Sequence, residues 1–139
     1  MPSQMKEGEV AMQETGMPGA ERFIEHFQPG AVIFAEGSRG DAMYVVLSGA
    51  VDIVRGNSHS LQHLARLRAG EMFGEMALVG SGLRAATAVA ADENTRLVRI
   101  DQARFVYLVS QQPAFALSVM RTMAGRNLST PSPAPLEAA

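Results

Sequence analysis

Between residues 22 and 100 the chain alternates short apolar runs with turn-forming residues, and this punctuation limits the fold more than any other feature. Turn signals such as Pro29-Gly30, Ser48-Gly49 and Gly56-Asn57 separate the runs. Short strands bounded in this way are typical of antiparallel sandwiches and barrels. The runs are Arg22–Gln28, Ala31–Ala35, Ala42–Leu47, Val51–Arg55, Leu64–Arg68, Ala85–Ala90 and Thr95–Ile100. We therefore predict a mainly β fold, an antiparallel β-barrel or jelly roll (a double-stranded β-helix), over residues 21–100.

The pattern inside the runs predicts which strands are covered on both faces. Residues 43–47 are apolar throughout, which indicates a strand buried on both sides. Val51 and Ile53 flank Asp52, and this alternation is typical of a strand with one face exposed. Leucines at 61, 64 and 67 are spaced by three and would suit a helix equally well, but the neighbouring runs favour a strand.

After residue 100 the apolar period becomes helical. Asp101 can cap a helix with Phe105, Leu108 and Val109 on one face. Pro113 suits the first turn of a second helix that ends near residues 125–127 and has an apolar stripe at Ala116, Val119, Met120 and Met123. We predict one domain over residues 21–128, with helices at 101–127, a leader at 1–20 that is either mobile or a short helix, and a Pro-rich disordered tail at 129–139.

Composition excludes several classes of function. The 12 basic and 14 acidic residues give a net charge of −2, so the chain lacks the basic footprint of a nucleic-acid-binding domain. The absence of cysteine excludes disulfides and thiolate metal sites. His59 and His63 are four apart, but no third ligand follows at metal-site spacing, so we predict no metal. Without a signal sequence or a long apolar run, we expect a cytoplasmic protein that does not contact membranes.

The stretch 73–87 combines glycines and alanines with two opposite charges, Glu75 and Arg84. Small residues leave backbone N–H groups accessible, and a guanidinium suits a phosphate, so the stretch predicts an anion-binding loop. Glu75 would repel an isolated phosphate, whereas a ribose phosphate also offers it a hydroxyl donor. The alternative is a surface ion pair between Glu75 and Arg84, worth about 0–1 kcal/mol.

Two strings in this stretch resemble the phosphate-binding cassette of the cyclic nucleotide-binding domain family. That module occurs in catabolite activator proteins, cAMP-dependent kinase regulatory subunits and cyclic nucleotide-gated channels. The strings are Phe73-Gly74-Glu75-Met76-Ala77-Leu78 and Arg84-Ala85-Ala86-Thr87. The resemblance extends over residues 28–127 and includes Pro29-Gly30, Glu36-Gly37 and the segment 40–49.

The resemblance implies a role for the matching positions. Glu75 would bind the ribose 2′-hydroxyl, and Arg84 would bind the exocyclic oxygens of the cyclic phosphate. Backbone groups of Gly74, Ala77 and Ala85 would line the same pocket. The other positions that the resemblance assigns to the ligand are Met76, Ala86, Thr87, Ile53, Leu64 and Ala65, the last three contacting base or sugar.

Ligand choice follows from Ala85, and the expected output follows from a departure from the family pattern. Guanine-preferring relatives often carry Thr or Ser at the position of Ala85, so the resemblance favours cAMP, with cGMP still open. The family's transcription factors continue into a long helix and a DNA-binding domain, whereas the helix after Pro113 reaches only about residue 127. We therefore expect no DNA binding in cis, a monomer or weak dimer, and Met120, Met123 or Leu128 as the local candidates to cap the base.

Three classes of function compete. The sequence favours a cyclic nucleotide sensor that signals in trans, through its C-terminal helices, to an unidentified effector protein. The alternative is a barrel that no longer responds to nucleotide and acts as a constitutive protein-interaction module. An enzyme ranks last, because no paired acid and base, no nucleophile motif and no metal cluster is evident.

Overall fold

The computed structural model describes residues 20–129, with side chains described over 22–125. The predicted leader and tail lie outside these residues, apart from Ala20 and Ser129 at their inner ends. After Arg104 the chain passes from a β unit to a helical unit.

In the part of the chain that the structure describes, the β unit contains eight strands and one short helix and begins with a 3₁₀ turn at Ala20–Phe23. The strands are β1 (Ile24–Phe27), β2 (Val32–Phe34), β3 (Ala42–Ser48), β4 (Ala50–Asn57), β5 (Ser60–Arg68), β6 (Met72–Phe73), β7 (Thr87–Ala90) and β8 (Thr95–Asp101). The helices are α1 (Met76–Val79), which lies between β6 and β7, and then α2 (Gln102–Gln111) and α3 (Pro113–Ser129).

The strands form two four-stranded antiparallel sheets, in the orders β1-β8-β3-β6 and β2-β7-β4-β5. The predicted mainly β architecture with C-terminal helices is confirmed in its jelly-roll form. A closed barrel is wrong, because each sheet keeps two edge strands. Two of these edges, β2 and β6, have only three and two residues, too few to pair with a further strand and close the sheets.

The hydrophobic core lies between the two sheets. It combines residues of the first sheet with residues of the second: Tyr44, Val46, Phe73 and Leu97 with Val51, Leu67 and Ala88. Residues 43–47 are all buried, as the unbroken apolar run predicts. Asp52 faces outward and accepts hydrogen bonds from Arg66 and His63, so the predicted alternation in β4 is confirmed.

Strand β5 explains the three-residue spacing of its leucines. The register shifts between Ile53 and Val54, which face Ala65 and His63, so Leu64 is the extra residue of a β-bulge. Only Leu67 enters the core, whereas Leu61 and Leu64 are exposed. The spacing is thus caused by an irregular strand and not by a helix.

The helical boundaries agree with the predicted caps. The backbone N–H of Arg104 donates to Asp101 Oδ1 at 2.8 Å, and Pro113 is the first residue of α3. The predicted stripe on α3 is wrong at Met120, which is 59% exposed, while Val119 is buried. In the helical unit, Phe105 and Phe115 pack edge to face at 5.8 Å. No helix in the described part of the chain is long and apolar enough to span a membrane.

Candidate ligand-binding site

The segment between β6 and β7 forms one helical turn and then returns to the start of the sheet. Gly74 has φ +81°, a conformation that favours glycine, and its carbonyl accepts the N–H of Ala77 at 3.2 Å. The returning chain is fixed on the loop between β2 and β3: the N–H of Arg84 donates to Ser38, and the Arg84 carbonyl accepts the N–H of Gly37, both at 2.8 Å. The backbone of Arg84 is therefore held on both sides.

The Arg84 side chain turns inward and is only 6% exposed. Nη1 donates to the Gly74 carbonyl at 3.0 Å, and Nη2 donates to the Ala42 carbonyl at 2.7 Å. The guanidinium carbon lies 3.9 Å from the centroid of the Phe34 ring, within cation–π range. Through these contacts Arg84 reaches back to the start of the cassette.

One donor of this guanidinium is left over. Arg84 Nε is buried and has no hydrogen-bond partner among the described residues. A buried unsatisfied donor costs about 1–3 kcal/mol, and more when the group is charged. Burial lowers the pKa of Arg84, while Tyr44 and Asp41 act in the opposite direction. An acceptor oxygen with negative charge at Nε would satisfy the donor and compensate the buried charge.

Two glycines leave space for this arrangement. A Cβ atom on Gly40 would lie 2.2 Å from Arg84 Nε and 2.4 Å from its Cζ, and one on Gly74 would lie 2.8 Å from Nη1. The same Cβ on Gly40 would meet the Ala77 side chain at 2.8 Å. The main chain at Gly40 thus lies so close to Arg84 and Ala77 that a residue with a side chain at position 40 would clash with both.

Glu75 is the second charged residue of the cassette and is 1% exposed. It stands at the start of α1 and makes no side-chain cap to that helix. Because both Glu75 and Arg84 are buried, the alternative of an ion pair on the surface is wrong. Burying a carboxylate and a guanidinium in one short segment is costly and is typical of sites that bind a polar ligand.

The remaining predicted site residues fall into two groups. Ile53 and Ala65 pair across β4 and β5 and pack against the core, whereas Leu64 at the bulge and Met76 are exposed. After Arg84, Ala86 is buried, Ala85 is exposed and Thr87 is half-buried. Among the predicted site residues, Gly74, Ala77 and Arg84 are joined by hydrogen bonds, because the Gly74 carbonyl accepts both the Ala77 N–H and Arg84 Nη1.

Hydrogen bonds from other segments hold the second half of the cassette. The Ala85 carbonyl accepts Arg55 Nε at 3.2 Å, and Thr87 Oγ1 accepts the backbone N–H of Glu36 at 2.9 Å. The Glu36 carboxylate in turn accepts the N–H of Gly56 at 3.0 Å. The Thr87 hydroxyl is thus already used as an acceptor within the protein.

Sequence reasoning missed four residues that shape the site: Phe34, Gly40, Ala42 and Arg55. Gly40 and Ala42 begin the segment 40–49 that resembles the family, but nothing in that string shows that a glycine leaves room for a guanidinium or that a carbonyl accepts it. Phe34 was interpreted only as part of a strand. Among the described residues, no cluster of three or more His, Asp or Glu could hold a metal ion, and His63 bonds Asp52.

Known proteins are similar to this chain in sequence and in fold. The chain is 36% identical to the cyclic AMP receptor protein of Thermus thermophilus over 101 residues. The matched region covers 72% of this chain and 46% of that protein. It is 30% identical over 92 residues to human Rap guanine nucleotide exchange factor 3, covering 66% of this chain and 10% of that protein. The chain thus spans less than half the length of these curated relatives.

Solved structures of similar proteins have the same fold as this chain. The catabolite activator protein of Thermus thermophilus superposes with a TM-score of 0.67 at 35% identity, over 74% of this chain and 48% of that chain. An EAL enzyme in its cGMP-bound form superposes with a TM-score of 0.59 at 29% identity, over 74% of this chain and 27% of that chain. Its cAMP-bound form superposes with a TM-score of 0.58 at 28% identity, over 76% of this chain and 29% of that chain. The sequence profile described as "cyclic nucleotide-binding domain" matches residues 24–112, well over half of the chain. With the cassette, the jelly roll and this match together, the chain belongs to the cyclic nucleotide-binding domain family.

Proposed function

We propose that this chain is a regulatory, non-catalytic domain that binds a cyclic nucleotide, cAMP in particular, and signals in trans through α2 and α3. One observation carries the ligand part of the proposal. Arg84 Nε is a charged, buried donor that has no hydrogen-bond partner among the described residues, and only a glycine, Gly40, fits against it. The cyclic phosphate supplies the acceptor oxygen that this donor lacks.

Glu75 extends the proposal from an anion to a nucleotide. An ionised carboxylate can only accept hydrogen bonds, so its presence beside a phosphate site favours a ligand with a hydroxyl near the phosphate. The ribose 2′-hydroxyl of a 3′,5′-cyclic nucleotide meets this requirement. Glu75, Arg84 and the backbone at Gly74 would then bind the sugar phosphate, while Ile53, Leu64 and Ala65 would contact base or sugar.

Ala85 supports cAMP over cGMP. The position after the arginine offers no hydroxyl to the 2-amino group of guanine, and the hydroxyl of Thr87 is already engaged by Glu36. The cAMP- and cGMP-bound forms of the similar EAL enzyme keep cGMP in consideration, so both nucleotides belong in the test.

The helical unit carries apolar side chains that suit a partner protein. Val106 and Tyr107 on α2, and Leu117 and Met120 on α3, are each more than 40% exposed. Ligand binding would change the output only as far as the nucleotide binds the two conformations of the domain with different affinity.

The test is a calorimetric titration of the wild type and of Arg84→Leu with cAMP and with cGMP. Removing one partner of a desolvated charge pair typically costs about 2–5 kcal/mol, so affinity should fall by about thirtyfold to several-thousandfold. Arg121→Leu is the matched control, because it removes the same side chain from an exposed helix position. Equal binding by the wild type and Arg84→Leu would contradict the site assignment.

A constitutive interaction module is the second candidate, favoured by the apolar residues exposed on α2 and α3. It predicts no heat with either nucleotide at millimolar concentration and a partner contact that nucleotide does not change. A nucleotide-dependent change in the hydrogen exchange of residues 102–125 would exclude it.

A further inference from the structure

The ring of Phe34 lies against the guanidinium of Arg84. The guanidinium carbon is 3.9 Å from the ring centroid. Phe34 belongs to an aromatic cluster with Tyr44, at 6.1 Å, and Phe73, at 5.9 Å, and these two rings stack on each other at 5.4 Å. The ring that contacts the cation is thus fixed by the core.

Different contacts of Arg84 restrict different movements of its planar guanidinium group. The carbonyls of Gly74 and Ala42 bind the two Nη atoms, but two such bonds still allow the planar group to tilt. A ring 3.9 Å from the guanidinium carbon limits that tilt, and cation–π attraction becomes stronger as the cation is withdrawn from water, as Arg84 is here at 6% exposure. With Nη1, Nη2 and one face fixed, Nε has a single direction.

We propose that Phe34 is a positioning residue for nucleotide binding, because its ring holds the Arg84 guanidinium in the orientation that leaves Nε free for the ligand anion. Phe34 acts through Arg84 and makes no contact with the phosphate itself. The proposal rests on the proposed function and deepens it. It assigns to strand β2, outside the cassette, part of the affinity for the cyclic phosphate.

A merely structural role for Phe34 makes a different prediction. A core phenylalanine that only fills space would, when changed, lower stability and affect affinity no more than other aromatic residues of the same core. Phe27 is that comparison, since it packs against the same core cluster from strand β1 and makes no cation–π contact with Arg84 in the described part of the chain.

The experiment compares Phe34→Leu, Phe34→Tyr and Phe27→Leu with the wild type. Nucleotide affinity is measured by calorimetry, and the Arg84 Nε–Hε resonance is recorded by NMR without ligand. We expect Phe34→Leu to weaken binding by about tenfold, while Phe34→Tyr and Phe27→Leu stay within about twofold of the wild type. The Arg84 Hε resonance should lose its ring-current shift in Phe34→Leu alone. Phe34→Met, which keeps the volume, replaces Phe34→Leu should that variant fail to fold.

Each outcome decides between the two roles. Equal losses of affinity in Phe34→Leu and Phe27→Leu, or an unchanged Arg84 resonance in Phe34→Leu, would overturn the positioning role. Normal nucleotide binding by both the wild type and Phe34→Leu would overturn this inference and leave the proposed function intact. No binding by the wild type would overturn the proposed function, and this inference with it.

Discussion

Replacing Gly40 by alanine tests the close approach on which the site depends. The added methyl group would lie 2.2 Å from Arg84 Nε, 2.4 Å from Arg84 Cζ and 2.8 Å from the Ala77 side chain. No Cβ tolerates such distances, so an atom has to move. The flexible Arg84 side chain is easier to displace than the backbone of α1, and we expect Gly40→Ala to push the guanidinium out of its position.

The cost follows from the contacts that Arg84 would lose. Its two hydrogen bonds to carbonyls involve a charged donor and are worth about 1.5–3 kcal/mol each, and the shielded contact with Phe34 adds up to about 2 kcal/mol. Renewed hydration of the displaced guanidinium offsets part of this sum. We expect the free energy of unfolding to fall by about 2–4 kcal/mol and nucleotide affinity to fall by about thirtyfold or more.

The assay is a double-mutant cycle on the free energy of unfolding, with wild type, Gly40→Ala, Arg84→Leu and the double variant. A leucine at position 84 has no atoms where Nε and Cζ lie, so of the three closest contacts of the added methyl group only the one with Ala77 would remain. The cost of Gly40→Ala should therefore shrink by at least about 1 kcal/mol in the Arg84→Leu background. Gly125→Ala is the control, because nothing lies within 4 Å of its added methyl group.

Additive costs in the cycle, within about 0.5 kcal/mol, would refute the reasoning, because the methyl group would then act independently of Arg84. Wild-type nucleotide affinity in Gly40→Ala would refute it as well. Gly125→Ala lies within a helix and should be neutral or stabilising by up to about 1 kcal/mol, so a large loss there would invalidate the comparison.

Two further predictions concern the carboxylates. Glu75→Gln should weaken binding of the ribonucleotide by at least about tenfold but leave the affinity for its 2′-deoxy analogue nearly unchanged, and equal losses by calorimetry would contradict the hydroxyl role. Hydrogen bonding by Arg66, opposed by partial burial and assisted by His63, lowers the pKa of Asp52 from 3.8 to about 2. A depressed pKa stabilises the fold above about pH 4 and loses this effect as the pH falls towards 2. Asp52→Asn should therefore cost about 1 kcal/mol or less in urea unfolding at pH 7 and only a small part of that at pH 2, where the effect is being lost; a pH-independent difference would contradict this.

The parts of the fold that depend on local pattern could be predicted. An unbroken apolar run marked β3 as covered on both faces, and Asp101 and Pro113 marked the starts of α2 and α3. Strand β6 was missed because its two residues give no period, and their bonds to β3 form only after the chain has folded. The separation into two sheets could not be predicted either, because it depends on which strands lie at the sheet edges, and the alternation of apolar and polar residues does not distinguish edge strands from central ones.

The site divides in the same way. Glu75 and Arg84 carry charge in an unusual setting, so their residue types were informative. The partners that give Arg84 its geometry are backbone carbonyls at Gly74 and Ala42, and any residue type supplies a carbonyl. Phe34 is fifty positions before Arg84, and only the pairing of β2 with β7 brings the two close. Contacts between residues so far apart in the sequence depend on the topology of the fold, and a short sequence motif does not predict them.

The position of Arg84 has a consequence for how variants of this chain would behave in a cell. A single side chain joins its own segment to segments 10, 42 and 50 residues away and so acts as a non-covalent cross-link among four parts of the β unit. Under the proposed function, substitutions there would lower ligand occupancy and also shorten the lifetime of the folded chain. A screen for lost signalling would consequently recover proteolysis-prone variants at this position, and measuring protein abundance alongside signalling would separate the two effects.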